Sequence, residues 1–180
     1  MINYIEKGVG LHTAINAAGY GLSGNTNDKA YDLAGNQSPA IDTAVQAIID
    51  SYDPLPEAKV EAIDRINTAA GNTRTKYVTN VPSQDATYQL KLQDAQAFIA
   101  ASYPEASLAN YPFINAEASA MSSTGQVAAD LIVATFNSWT HLAAAIEGER
   151  RTAIEQIKAE TNWQQCSVIA DNAEVVLGAM

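Results

Sequence analysis

Chemistry in this chain would have to fall to two histidines, one cysteine, a glycine turn and a few pairs of carboxylates. His12 lies one turn inside a short helical pattern, and His141 lies in a long one beside Trp139. A zinc site needs three or four converging ligands, and no His, Cys and carboxylate cluster has that spacing. His141 therefore reads as a surface or half-buried hydrogen-bonding side chain. Cys166 stands alone, which excludes an intramolecular disulfide and any cysteine-based metal cluster. Between Gln165 and Ser167 and close to Trp163, it is expected to be a small buried or half-buried side chain, with neither histidine near it in sequence to support a reactive thiol.

Gly8-Val9-Gly10 ahead of a helix has the opening of a dinucleotide or phosphate loop, but Thr13 stands where the third glycine belongs and no long βαβ unit follows. The turn reads instead as a glycine cap on a short helix. No Gly-Lys-Ser/Thr loop occurs, and no serine has the setting of a nucleophile elbow. Asp50 and Asp53 fall at a helix end before prolines, and Glu147 and Glu149 flank arginines, both patterns of solvated positions. A glycosidase needs two carboxylates about 5 to 10 Å apart across a cleft, and no pair here is marked out for that work. The expectation is a protein without catalytic, cofactor-binding or metal-binding residues, and not an enzyme.

The elements that must carry these residues are mostly helices. Hydrophobic residues make up 47% of the 180 and aromatics only 7%, so small side chains at regular spacing are available to pack helices closely. Ile2–Ile5 is expected as a short strand, and Leu11, Ala14, Ile15 and Ala18 form one face of a short helix ended by Gly19 and Gly21. Ser23 to Ser38 is rich in Gly, Asn, Asp and Ser and reads as loop, with Tyr31 and Leu33 marking a second short strand.

Ser38-Pro39 opens a clearer helix with the apolar face Ile41, Ala44, Val45, Ile48 and Ile49, and Asp53-Pro54-Leu55-Pro56 ends it. A further helix begins near Pro56, with Val60, Ile63, Ile66 and Ala70 as its expected buried stripe, running through Gly71 towards Tyr77. Thr79-Asn80-Val81-Pro82 is the expected boundary between a small module over 1–79 and a helical bundle over 80–180.

In the second part Tyr88, Leu92, Ala95 and Ile99 repeat at helical spacing over Ser83–Ser102, Tyr103-Pro104 stops that helix, and Asn110-Tyr111-Pro112 starts a short one that ends at Ser122-Ser123. The longest element starts at Thr124. Val127, Leu131, Ala134, Phe136, Trp139, Leu142, Ile146, Ala153, Ile154 and Ile157 are its apolar positions, giving a helix about 50 Å long if straight. Arg150 and Arg151 are placed to pair with Glu147, Glu149 and Glu155 along it. Asn162–Met180 fits a final helix or a strand, and periodicity does not decide between them. The fold class expected is mainly α: a small α(+β) N-terminal module followed by an antiparallel helical bundle with one long helix.

Twenty acids against ten bases give a net charge of −10. Residues 1–79 carry nine acids and six bases, and residues 80–180 carry eleven and four. Such a surface repels phosphate backbones and anionic lipid, so neither nucleic acid nor membrane is an expected partner. No signal peptide is visible at Met1–Lys7, and no stretch approaches about 18 uninterrupted apolar residues. Contact surfaces are expected at aromatic side chains, since these dominate interface energetics. Phe113 and Trp139 read as core, while Tyr103, Tyr111 and Trp163 are the candidate interface residues.

Val45-Gln46-Ala47-Ile48-Ile49-Asp50-Ser51-Tyr52-Asp53-Pro54-Leu55-Pro56 is similar to a segment that recurs in small tail-associated proteins of tailed bacteriophages. The opening Asn3-Tyr4-Ile5-Glu6-Lys7-Gly8, with Gly10-Leu11-His12 and Ala14-Ile15, is similar in the same way. The second half resembles a helical module of phage tail proteins through Tyr77-Val78-Thr79, Val81-Pro82, Tyr88, Lys91, Asp94-Ala95, Tyr103-Pro104, Ala116-Glu117, Trp139, Ile146-Glu147 and Arg150-Arg151. Gly21–Gly35 departs from the pattern, which is tighter there. The resemblance implies a virion or virion-assembly role around tail fibres or the baseplate, in a protein made in the host cytoplasm, and carries over no catalytic residue. An adaptor or hinge joining fibre to tail is the first expectation. A tail-fibre assembly chaperone is the second, and a carbohydrate-active or peptidoglycan-cutting enzyme is a remote third. The expected partners are other tail proteins (tail fibre or baseplate), with homo-oligomerisation left open.

Overall fold

The structure, a computed structural model, describes residues 2–23, 28–77 and 84–180, and 75% of it is helix. In chain order the elements are α1 (Val9–Ala17), β1 (Tyr20–Ser23), β2 (Lys29–Asp32), α2 (Pro39–Ser51), α3 (Leu55–Thr75), α4 (Gln84–Ala100), a 3-10 segment (Glu105–Asn110), α5 (Pro112–Met121), α6 (Gly125–Ala159) and α7 (Trp163–Ala179). The chain is thus mainly helical, as its periodicity implies, with helices packed on one another; its small antiparallel hairpin near the start pairs Tyr20–Ser23, which was not expected as a strand, with Lys29–Asp32. The boundary expected over Thr79–Pro82 lies outside the described residues. Two compact units are found, one of Met1–Ile66 with Ala153–Asn172 and one of Asn67–Thr152 with Ala173–Met180.

The first unit is built on Ile2, Leu11, Ile15, Ala30, Val45 and Ile49, with Tyr4, Tyr20, Leu22, Ile41, Ile48 and Tyr52 packed against them. β1 and β2 pair antiparallel, Tyr20 opposite Asp32 and Ser23 opposite Lys29. α2 begins as its sequence dictates: Ser38 is extended, its Oγ accepts from the Ile41 N–H at 3.3 Å, and Pro39 occupies the first turn, where no N–H partner is needed.

The strand expected at Ile2–Ile5 is instead irregular chain. A strand needs a ladder partner, and these backbone groups are taken elsewhere. The Ile2 N–H donates to the Asp28 carbonyl at 3.1 Å, and the Asn3 N–H donates to Gln46 Oε1 at 2.8 Å. Lys7 Nζ closes the segment by donating to the Ile49 and Tyr52 carbonyls at the end of α2, which the helix itself leaves unsatisfied.

The rest of this unit comes from the helical residues 55–66, 153–159 and 163–172. Ala62, Ile66, Ala153, Ile154, Ile157, Cys166 and Ala170 are buried. Val60, expected in the stripe of α3, is instead 61% exposed. The face actually buried runs through Ala62, Ile66, Ala70 and Thr73, and Val60 stands two residues, roughly 200° of helix rotation, from Ala62. Arg65 reaches α7, with Nη2 2.5 Å from Asp171 Oδ1 and Nη1 3.3 Å from Ser167 Oγ. Lys59 Nζ donates to the Lys158 carbonyl at 2.7 Å, beside the C-terminus of α6.

The second unit centres on Ala95, Phe98, Ile114, Ala118, Ala128 and Ala129. Of the residues that repeat at helical spacing along α4, Leu92 and Ala95 are buried and Tyr88 is exposed, while Phe98 is also buried. Thr73, also in this unit, is buried, but its Oγ1 donates to the Leu177 carbonyl at 2.8 Å, so its burial leaves the hydroxyl satisfied. Residues 162–180, open between helix and strand on sequence grounds, form α7, whose buried positions Cys166, Ala170, Ala173 and Leu177 are spaced by four, three and four. The β-branched Val175 that favours a strand is 72% exposed.

Candidate functional site

The expected interface aromatics Tyr103 and Tyr111 are both half-buried against Phe98, edge-on at centroid distances of 5.9 and 5.0 Å. Tyr103 follows Ser102 in the left-handed region, with φ values of 56° and 63°, and this reversal ends α4. The Tyr103 N–H donates to the Phe98 carbonyl at 3.0 Å, so the helix end is satisfied while the ring is folded back onto the core. Its hydroxyl donates to Asp130 Oδ1 at 2.9 Å on α6. That hydrogen bond first, then burial and the carboxylate's charge, raises the Tyr103 pKa. Trp163, half-buried at the start of α7, has its Cζ3 3.8 Å from where a side chain on Gly8 would begin. Phe113 and Trp139, expected in the core, are half-buried.

Two carboxylates of the second unit do work that sequence did not suggest. Asp94 of α4 accepts from the Phe113 and Ile114 N–H groups at 2.8 and 3.1 Å through one oxygen, Oδ2, at the start of α5. Glu105 spans the start of α6, Oε2 accepting from the Gly125 N–H at 3.0 Å and Oε1 from the Gln126 N–H at 2.8 Å. Both place negative charge where a helix presents unsatisfied N–H groups and the positive end of its dipole. Gly125 permits the approach: a Cβ there would lie 2.6 Å from Leu108 Cδ1 and 2.8 Å from Phe98 Cζ. Lys91 pairs with Glu117 between α4 and α5.

Of the residues first weighed for chemistry, His12 and the glycine turn are set in one polar cluster. Tyr4 Oη lies 2.9 Å from Glu6 Oε2 and 3.1 Å from His12 Nε2. Burial and the neighbouring Glu6 push the Tyr4 pKa up to about 12. Gly8 adopts φ 84° ahead of α1, and its N–H donates to Glu6 Oε1 at 2.8 Å. Tyr52 donates to Glu57 Oε2 at 2.5 Å directly over Gly10, where a Cβ would stand 1.5 Å from that oxygen. Glycine at position 10 therefore serves close approach by side chains.

His141 is exposed on α6, and Cys166 is buried, its thiol pKa raised by that burial. Asp53 Oδ1 accepts from the Leu55 N–H at 3.0 Å, and Asp50 Oδ1 accepts from Gln46 Nε2 at 2.8 Å. Glu147 is held by Arg150 Nε and Nη2 at 2.9 and 2.6 Å and by Arg74 Nη2 at 2.7 Å, while Arg150 Nη1 donates to Asn67 Oδ1 at 2.8 Å. Those guanidinium hydrogen bonds, Arg150's foremost, hold the carboxyl down at about 2. Among the described residues no group of three or more His, Cys, Asp and Glu is placed to hold a metal ion. An open groove of about 320 Å³ beside the start of α2 is lined by residues that include Asp28, Lys29, Gln37 and Ser38.

The surface feature that sequence reading missed is on α6. Val127 and Leu131, among the apolar positions of this helix, are 52% and 51% exposed one turn apart. The positions buried instead are Gly125, Ala128 and Ala129, because the helix approaches its neighbours on its smallest side chains. From Gln126 to Ile146 the only Asp, Glu, Lys or Arg is Asp130. A run with so little charge on a chain of net −10 was a usable signal. No helix among the described residues is long and apolar enough to cross a membrane. The chain matches no protein-family model, no curated protein and no solved structure.

Proposed function

We propose that this chain is a structural component of a bacteriophage tail, an adaptor or hinge between a tail fibre and the tail or baseplate. The reading rests on the resemblance of Val45–Pro56, and of the residues from Tyr77 to Arg151 named above, to tail-associated proteins; no family model, curated protein or solved structure adds to it. The architecture supports a holding role in a general way. Its ion pairs tie helix to helix, as in Arg65–Asp171, Arg74–Glu147 and Lys91–Glu117, and Val127 and Leu131 on α6 face outward. On this reading the chain is not an enzyme and uses no cofactor. Its partners are other tail proteins, and its net charge of −10 turns it away from nucleic acid and anionic membrane.

Mass spectrometry of gradient-purified particles of the encoding phage should find the chain in a fixed ratio to the major tail proteins. Abundance in the lysate with absence from the particles would overturn the adaptor reading. The acidic surface favours one second reading, a tail-fibre assembly chaperone discarded after use. That reading expects co-expression to raise the yield of soluble fibre, and an unchanged yield would exclude it.

A further inference from the structure

We draw no further inference here: the strongest candidate, the exposed and almost uncharged face of α6 that carries Val127 and Leu131, has nothing in the structure to show what covers it.

Discussion

The cluster around Ile49 in the first unit and the cluster around Phe98 in the second solve the same problem with different materials. The first fills its interior with Ile2, Leu11, Ile15, Val45 and Ile49. Its helix α2 is capped locally, by the Ser38 that immediately precedes it. The second uses one buried aromatic among Ala95, Ala118, Ala128 and Ala129, and its helices α5 and α6 are capped by carboxylates from other elements, Asp94 and Glu105. In the first cluster a helix start can form before the core does. In the second, the capping bonds exist only once α4, α5, the 3-10 segment and α6 are in place, so capping and packing belong to one cooperative event.

Phe98→Ala should have the largest effect, since it removes the largest buried side chain of the cluster, on which the two tyrosine rings pack. A loss of about 3–5 kcal/mol is expected for such a change. Urea unfolding followed by circular dichroism measures it, and a loss below about 1 kcal/mol, less than a single core methyl change can cost, would remove Phe98 from its central place.

Asp94→Ala tests the remote cap. It leaves two N–H groups at the start of α5 without their acceptor and removes a charge from the positive end of the helix. About 1–2 kcal/mol should be lost, while Asp94→Asn should restore part of it by keeping an acceptor oxygen. Ser38→Ala breaks only the local cap, whose 3.3 Å bond is long, and should cost about 0.5–1 kcal/mol. If Ser38→Ala proved the more damaging of the two, the contrast between local and remote capping would be reversed.

Glu147 gives the smallest effect and a pH signature. Its carboxyl is held at about 2 against an ordinary value of 4.5, so the folded state binds this proton less readily than the unfolded chain. The stabilisation it supplies is complete above the ordinary value and is lost as pH falls from there towards about 2. Glu147→Gln should lower Tm slightly at neutral pH, and the difference from the parent chain should shrink on acidification through that window. A Tm difference that stays constant from pH 6 to pH 3 would show that the pairing with Arg150 and Arg74 contributes nothing through charge.

How much of this was legible depended on how local the signal was. Ser38-Pro39, Tyr103-Pro104 and Asn110-Tyr111-Pro112 marked helix ends that the structure places at or beside those residues, because caps and prolines act on their own backbone. The buried faces were read less well. Val60 was expected inside because it is apolar, yet the small Ala62 is inside; along α6 the apolar Val127 and Leu131 are likewise outside and the small Ala128 and Ala129 inside. In the candidate interface, the sequence spacing of Tyr103 and Tyr111 carried no hint that both rings would close on Phe98.

The sequence by itself determined a mainly helical chain, the stops between most helices and a strong net negative charge. Those properties arise from residue composition, short-range periodicity and the conformational limits of proline and glycine. Only the tertiary structure decided that Ile2 and Asn3 bond to Asp28 and Gln46 rather than in a strand, that Tyr20–Ser23 pairs with Lys29–Asp32, that Trp163–Ala179 is helix, and that 153–172 belong to the same compact unit as the first 66 residues. It alone decided that Asp94 and Glu105 serve helices they do not precede. Each of these depends on which distant groups reach an unsatisfied backbone amide or carbonyl first, and no spacing along the chain records that distance in space.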